Sequence, residues 1–217
     1  MEFIYIWFKD FRNIFKKLDI NFSSEFIIQY EESEGILLIK KNDMHIKDFF
    51  KLNNDIEEKV VVSNISAIIG ENGIGKTSIL DYIKNNIPVG EGGLKENETI
   101  VIIRNETGLK IYHHRNIKIK QIQNNIKQLN IAVQHFGEKK VPKRTEITEL
   151  RHTSFIFFSN IFDGKRDFKE GYYESNLKNI STNYLLFKDY YDYRNANYLD
   201  NSKSIDNLET TRGFNPV

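Results

Sequence analysis

Nine residues, Gly70 to Ser78 (GENGIGKTS), place glycines, a lysine and hydroxyls in the order GxxxxGK[ST], the phosphate-loop pattern, without a substitution. At average residue usage a match arises by chance in about one chain of this length in a hundred. Gly70, Gly73 and Gly75 accept backbone angles and close approach that a β-carbon forbids, so the loop through Glu71, Asn72 and Ile74 is free to curl its N–H groups round a phosphate. Lys76 would set its ammonium against the β- and γ-phosphates, and the Thr77 hydroxyl would ligate Mg²⁺, a hard cation that prefers oxygen. Ser78 would add a hydrogen bond to phosphate. The chemistry read from these residue types is nucleotide binding with Mg²⁺.

Such a loop needs a strand before it and a helix after it. Ile65 to Ile69 (ISAII) reads as a buried strand feeding the loop, and Ile79, Leu80, Ile83 and Ile87 recur at helical spacing behind it. The helix is expected to run from Lys76 to about Asn86, because Pro88 disfavours helical geometry at Ile87 and Gly90, Gly92 and Gly93 follow.

The rest of the composition describes a folded, charge-balanced chain. With 217 residues, 40% of them hydrophobic, a full core can be buried in one domain or one domain with a small subdomain. Lys plus Arg number 31 and Asp plus Glu 30, so no global charge draws the chain to nucleic acid or lipid. The absence of cysteine excludes a disulfide framework and thiolate metal sites. The apolar run Phe3 to Phe8 is too short for a signal core or a membrane span, so a soluble cytoplasmic protein with no membrane partner is expected.

Residues 2 to 8, Glu25 to Tyr30 and Gly35 to Lys40 read as strands, the last two joined by the turn EESEG. Asp43 to Lys59 reads as a short helix or a connection. Thr99 to Arg104 and Leu109 to His113 flank NETG as a β-hairpin. Ile119, Ile122, Ile126, Leu129, Val133 and Phe136, spaced by three and four, predict an amphipathic helix packed on the domain's own sheet. Glu138 to Arg144 is a basic, solvated loop, and Thr153 to Phe158 a strand. Ser181 caps a helix with Leu186, Tyr190 and Tyr193 on one face and Phe187, Tyr191 and Tyr198 beside it, a packing or interface surface. The tail after Asn201 reads as weakly ordered. His113 and His114 are adjacent and point to opposite faces of a strand, so they read as surface groups rather than metal ligands.

YIWFKDFRNIFKKLDINFS, from Tyr5, followed by ISAIIGENGIGKTSIL resembles the start of ABC-type ATPase heads of the SMC, RecF and OLD-like group. There the matching residues are Phe11, Arg12, Asn13 and Ile14, then Gly70 to Ser78. FSNIFD at Phe158 to Asp163 and NISTNYLL at Asn179 to Leu186 resemble segments of bacterial AAA family ATPases, many of them linked to phage defence. The resemblance implies an α/β P-loop NTPase of ABC-ATPase type, with N-terminal antiparallel strands beside the phosphate-loop sheet and Arg12 near the nucleotide. The corresponding divisions are 1–64 for the antiparallel strands, 65–88 for the loop strand and helix, 99–163 for hairpin, helix and strand, and 181–200 for an aromatic helix toward an arm or lid. It implies ATP and Mg²⁺ as ligands, ATP hydrolysis as the activity, and a homodimer or a second polypeptide that completes the head. A nucleic-acid partner draws no support from charge.

The chain departs from that family in lacking a signature segment like LSGGE, a Walker B strand ending in Asp-Glu, and a switch histidine. Its later apolar runs lead to Arg104, Ser159 and Lys188, and Asp163 and Asp189 do not follow such a strand. Hydrolysis needs that acid to orient Mg²⁺ and its neighbour to orient water. The expectation is therefore the N-terminal half of a larger head, incomplete by itself. The competing reading is a nucleotide-binding or interaction module, a truncated remnant without hydrolysis of its own. A GTPase lacks its NKxD motif here, and a small phosphate-loop kinase would carry the loop nearer the N-terminus.

Overall fold

The computed structural model describes residues 1–11, 13–47, 49, 62, 64–89, 93–94, 97–137, 146–160 and 175–190. The chain is mixed α/β, mostly strands with two helices, and divides into two compact units. The first comprises Met1–Ser154 with Glu174–Asn176, and the second Phe155–Tyr173 with Leu177–Val217.

The first unit is built on β1 (Glu2–Phe11), a strand of aromatic and β-branched residues buried on both faces. It lies between β2 (Phe15–Asn21) and β5 (Thr99–Asn105), antiparallel to both, and β6 (Gly108–His114) and β8 (Ile131–Phe136) extend the sheet beyond β5. β5 and β6 form the expected hairpin, where the Asn105 carboxamide oxygen accepts from the N–H groups of Thr107 and Gly108 at 2.9 and 3.0 Å. A second sheet joins β3 (Phe26–Glu31), β4 (Ile36–Lys41) and β7 (Gln121–Asn124). Alternation decides which faces meet. Phe26, Ile28 and Tyr30 of β3 and Leu37 and Ile39 of β4 pack with Tyr5, Trp7, Ile100, Ile102 and Ile111 in one buried core, whereas Ile27 points outward and is 50% exposed. The Asp19 carboxylate pins the two sheets by accepting from the Tyr5 hydroxyl and from the Tyr30 N–H.

α1 (Lys76–Asn86) packs on the same sheet through Tyr82, whose ring stands edge-on to Phe8 of β1 with centroids 4.9 Å apart. Its hydroxyl is 3.1 Å from the Thr99 hydroxyl, and burial pushes the phenol up to about 12. The buried residues of the helix are Ile79, Tyr82, Lys84 and Asn86; Leu80, expected on the inner face, is 46% exposed.

Three expectations are corrected. The helix predicted over 119–136 is two strands, β7 and β8, which pair in parallel with β4 and β6. Of the expected stripe, Ile119, Ile122, Ile126 and Leu129 pack against the core and Phe136 is buried, but Val133 is 46% exposed, so the burial was legible in part while the backbone geometry was not. Asparagine explains the break: the Asn124 and Asn125 side chains accept from the N–H groups of Ile126 and Lys41, and Gln128 turns the chain at φ 61°. His113 and His114 are buried rather than surface groups, because Phe136 of β8 packs on His114 and His135 on His113. The strand expected at Ile65 to Ile69 belongs to no ladder; among the described residues, no parallel sheet carries the phosphate loop, since parallel pairs occur only between β4 and β7, β6 and β8, and Phe155–Phe157 and Leu177–Asn179.

In the second unit β9 (Phe155–Phe157) pairs in parallel with β10 (Leu177–Asn179). A helix over 182–190 follows, capped as expected by the Ser181 hydroxyl, which accepts from the Tyr184 N–H at 3.3 Å. Leu186 and Tyr190 are 51% and 58% exposed, while Tyr191, Tyr193 and Tyr198 lie outside the described residues. So do Arg12, most of Asp43 to Lys59, the basic loop from Glu138 to Arg144, Asp163 and the tail. Among the described residues no helix is long and apolar enough to cross a membrane.

Candidate phosphate-binding site

The segment that delivers the loop is held at both ends by the β1–β2 hairpin. At its start the Asn64 carboxamide donates to the Phe22 carbonyl and, at 3.3 Å, to the Glu2 carboxylate, while the Ser66 hydroxyl donates to the same Phe22 carbonyl at 2.6 Å. At its end Gly75 sits against Ile14 and Phe15, in the turn that opens β2. Between these anchors Ile65 and Ile69 are 65% and 90% exposed. An apolar run marks a strand able to be buried; burying it takes a neighbouring strand, and the described residues supply none.

Within the loop, Gly73 and Gly75 adopt φ 83° and 98°, the left-handed region that favours glycine. A β-carbon on Gly75 would fall 2.7 Å from Ile14 Cγ2 and still closer to the Phe15 ring, so this position needs glycine twice over. A β-carbon on Gly73 would meet nothing. Gly75 is the N-cap of α1; no side chain caps the helix and no acid lies in its first turn, so no side chain of the helix offsets its positive dipole end. The Lys76 ammonium folds back over the loop and donates to the carbonyls of Gly70 at 2.6 Å and Glu71 at 2.7 Å. Three donors on one ammonium leave capacity for a further acceptor. Gly70, Glu71, Asn72, Gly73, Ile74 and Thr77 are exposed, and Ser78 is half-buried.

The predicted residues Gly70 to Ser78 are therefore gathered in one solvent-facing turn at a helix N-terminus. Arg12 lies outside the described residues, although its near neighbours Ile14 and Phe15 touch the loop. Among the described residues, the carboxylates that enter ion pairs do so elsewhere: Glu25 with Arg104, Glu32 with Lys17, Glu98 with Lys9, Glu149 with Lys110 and Asp81 with Lys84. Asp189 lies exposed on the helix of the second unit.

The residues present fit a triphosphate with Mg²⁺. The loop turns through two glycines in the left-handed region, the charge is a lysine held across its carbonyls, and Thr77 is exposed on the first helical turn. Two contributors escaped the sequence reading. Phe15 and Tyr82 set the positions of loop and helix, and the only signal for them was the clustering of Phe8, Phe11 and Phe15 around the FRN turn. No protein-family model matches this chain, and comparison with curated proteins and with solved structures finds no match either.

Proposed function

We propose that the chain binds ATP with Mg²⁺ through Gly70 to Ser78. The observation that carries this reading is Lys76, whose ammonium spans the Gly70 and Glu71 carbonyls above two left-handed glycines and an uncapped helix end. Backbone N–H groups from Glu71 to Lys76 would hold the β-phosphate, Lys76 would exchange a carbonyl for phosphate oxygens, and Thr77 would hold Mg²⁺. In the ABC-type reading Arg12 adds a nucleotide contact, and ATP binding draws the head onto a second copy or a second polypeptide that completes it for hydrolysis, in phage defence or DNA-linked work.

A second reading, a nucleotide-binding module without hydrolysis of its own, is favoured by one observation. Each ion-paired carboxylate named above is engaged away from the loop. Calorimetric titration of Mg·ATP tests both readings at their common step. Lys76→Ala should weaken binding by about a hundredfold, the loss of one to two charge-assisted hydrogen bonds, and leave the circular dichroism spectrum unchanged. Equal affinity of variant and parent would refute the site.

A further inference from the structure

We propose that Phe15 is the positioning residue of the phosphate loop, so that the turn between β1 and β2 sets nucleotide affinity through Gly75. The proposal rests on the nucleotide-binding reading and adds to it a residue that touches no phosphate.

Gly75 joins the loop to the helix, so its placement decides where the last loop N–H groups and the first helical ones point. The surface it rests on is the Phe15 ring, 8% exposed, with Cζ the nearest atom. That ring is backed by two others. It lies parallel to Phe11 at an interplanar angle of 7° and a centroid distance of 6.3 Å, with Phe8 at 6.2 Å. Phe8 and Phe11 in turn stand edge-on to Tyr82 of α1, at 4.9 and 5.4 Å. The loop and the helix it feeds are thus referenced to one aromatic body, and close packing transmits a displacement instead of absorbing it. The turn is itself set. Asn13 takes φ 56°, its N–H donates to the Asp10 carboxylate at 3.0 Å, and the Ile14 N–H donates to the Phe11 carbonyl at 2.9 Å. Ile14, 45% exposed, closes the other side of Gly75. Phosphate recognition by a curl of N–H groups tolerates displacements of only about 0.5 Å, so a shift of Phe15 is expected to be felt as lost affinity.

The test uses the full chain and Mg·ATP, titrated calorimetrically beside thermal melts. Phe15→Tyr adds an oxygen to the atom that faces Gly75 and keeps the aromatic packing; Phe15→Leu withdraws the ring. Each should weaken Mg·ATP binding about tenfold, equivalent to 1.4 kcal/mol. Ile14→Ala, at a half-exposed site outside the core, should weaken it about threefold and leave the melting temperature near the parent's. Ile28→Val, in the core between the two sheets, should lower the melting temperature and leave affinity as in the parent, which separates positioning from general stability. Parental affinity in folded Phe15→Tyr and Ile14→Ala would overturn the proposal while leaving the site intact. Absence of binding by the parent would overturn the nucleotide reading itself, and this proposal with it.

Discussion

Gly73 and Gly75 offer a paired measurement, because the same substitution meets different surroundings at two similar backbone angles. At φ 83° and 98° both positions hold the left-handed conformation, which costs an L-residue such as alanine about 1–2 kcal/mol. At Gly73 that is the whole cost, since the added methyl meets nothing within 4 Å. At Gly75 the methyl would lie 2.7 Å from Ile14 Cγ2 and against the Phe15 ring, and overpacking of that kind costs about 1–3 kcal/mol more. Gly75→Ala should therefore destabilise by about 2–5 kcal/mol and Gly73→Ala by about 1–2 kcal/mol. The reporter is built in: the chain has one tryptophan, Trp7, 1% exposed in the core of the same unit as the loop. Urea unfolding followed by Trp7 fluorescence, with the slope checked for constancy between variants, gives the difference directly. Equal destabilisation by the two alanines, to within about 0.5 kcal/mol, would refute the claim that Ile14 and Phe15 constrain the loop.

Two further outcomes are expected. His113 is buried with His114 beside it in the chain and the His135 ring edge-on at 4.2 Å, and burial pushes its pKa below the ordinary 6.5. The unfolded chain takes up the proton first, so this contribution to stability is full above pH 6.5 and declines as pH falls from there through the lowered folded value. His113→Leu should flatten that limb of a urea-midpoint profile; an unchanged slope would show that His113 is not the group responsible. Glu149, whose burial is outweighed by hydrogen bonds from Lys110 and Tyr112, has its pKa lowered from 4.5, so its contribution is lost only in more acid solution and does not confuse the assay. Separately, Mg·ATP turnover by the pure chain is expected near background. Robust turnover that vanishes in Lys76→Ala would show that an acid of this chain does the work of the Walker B pair.

The helix from Lys76, the β5–β6 hairpin and the strands β3 and β4 were legible because each is a local device. A glycine pattern, a proline stop, an Asn-x-x-Gly turn and a two-residue alternation act over a few neighbouring residues, and the elements lie within a residue or so of where those signals fall. β2 carries no such signal in its residues; LDIN and its lysines alternate weakly, and only pairing with β1 makes it a strand.

What misled was hydrophobic spacing read without a partner. The three-and-four rhythm from Ile119 to Phe136 marked residues that reach the core, Val133 excepted, yet two short strands with their connections and a single helix can bury the same positions; the ladders with β4 and β6 decided for strands. The opposite error occurs at Ile65 to Ile69, where an apolar run predicts burial that no described neighbour provides.

The sequence by itself determined the residue types and order of Gly70 to Ser78 on which the proposal of phosphate binding rests, because a motif of glycine, lysine and threonine is written in the chain's local order. Only the tertiary structure decided how that loop is held. Phe15 lies far from Gly75 along the chain, and nothing in either local sequence reports that a ring from one closes the space beside the other. Packing is a property of which surfaces meet, and that is settled when β1 brings its turn and the helix to the same face of one sheet.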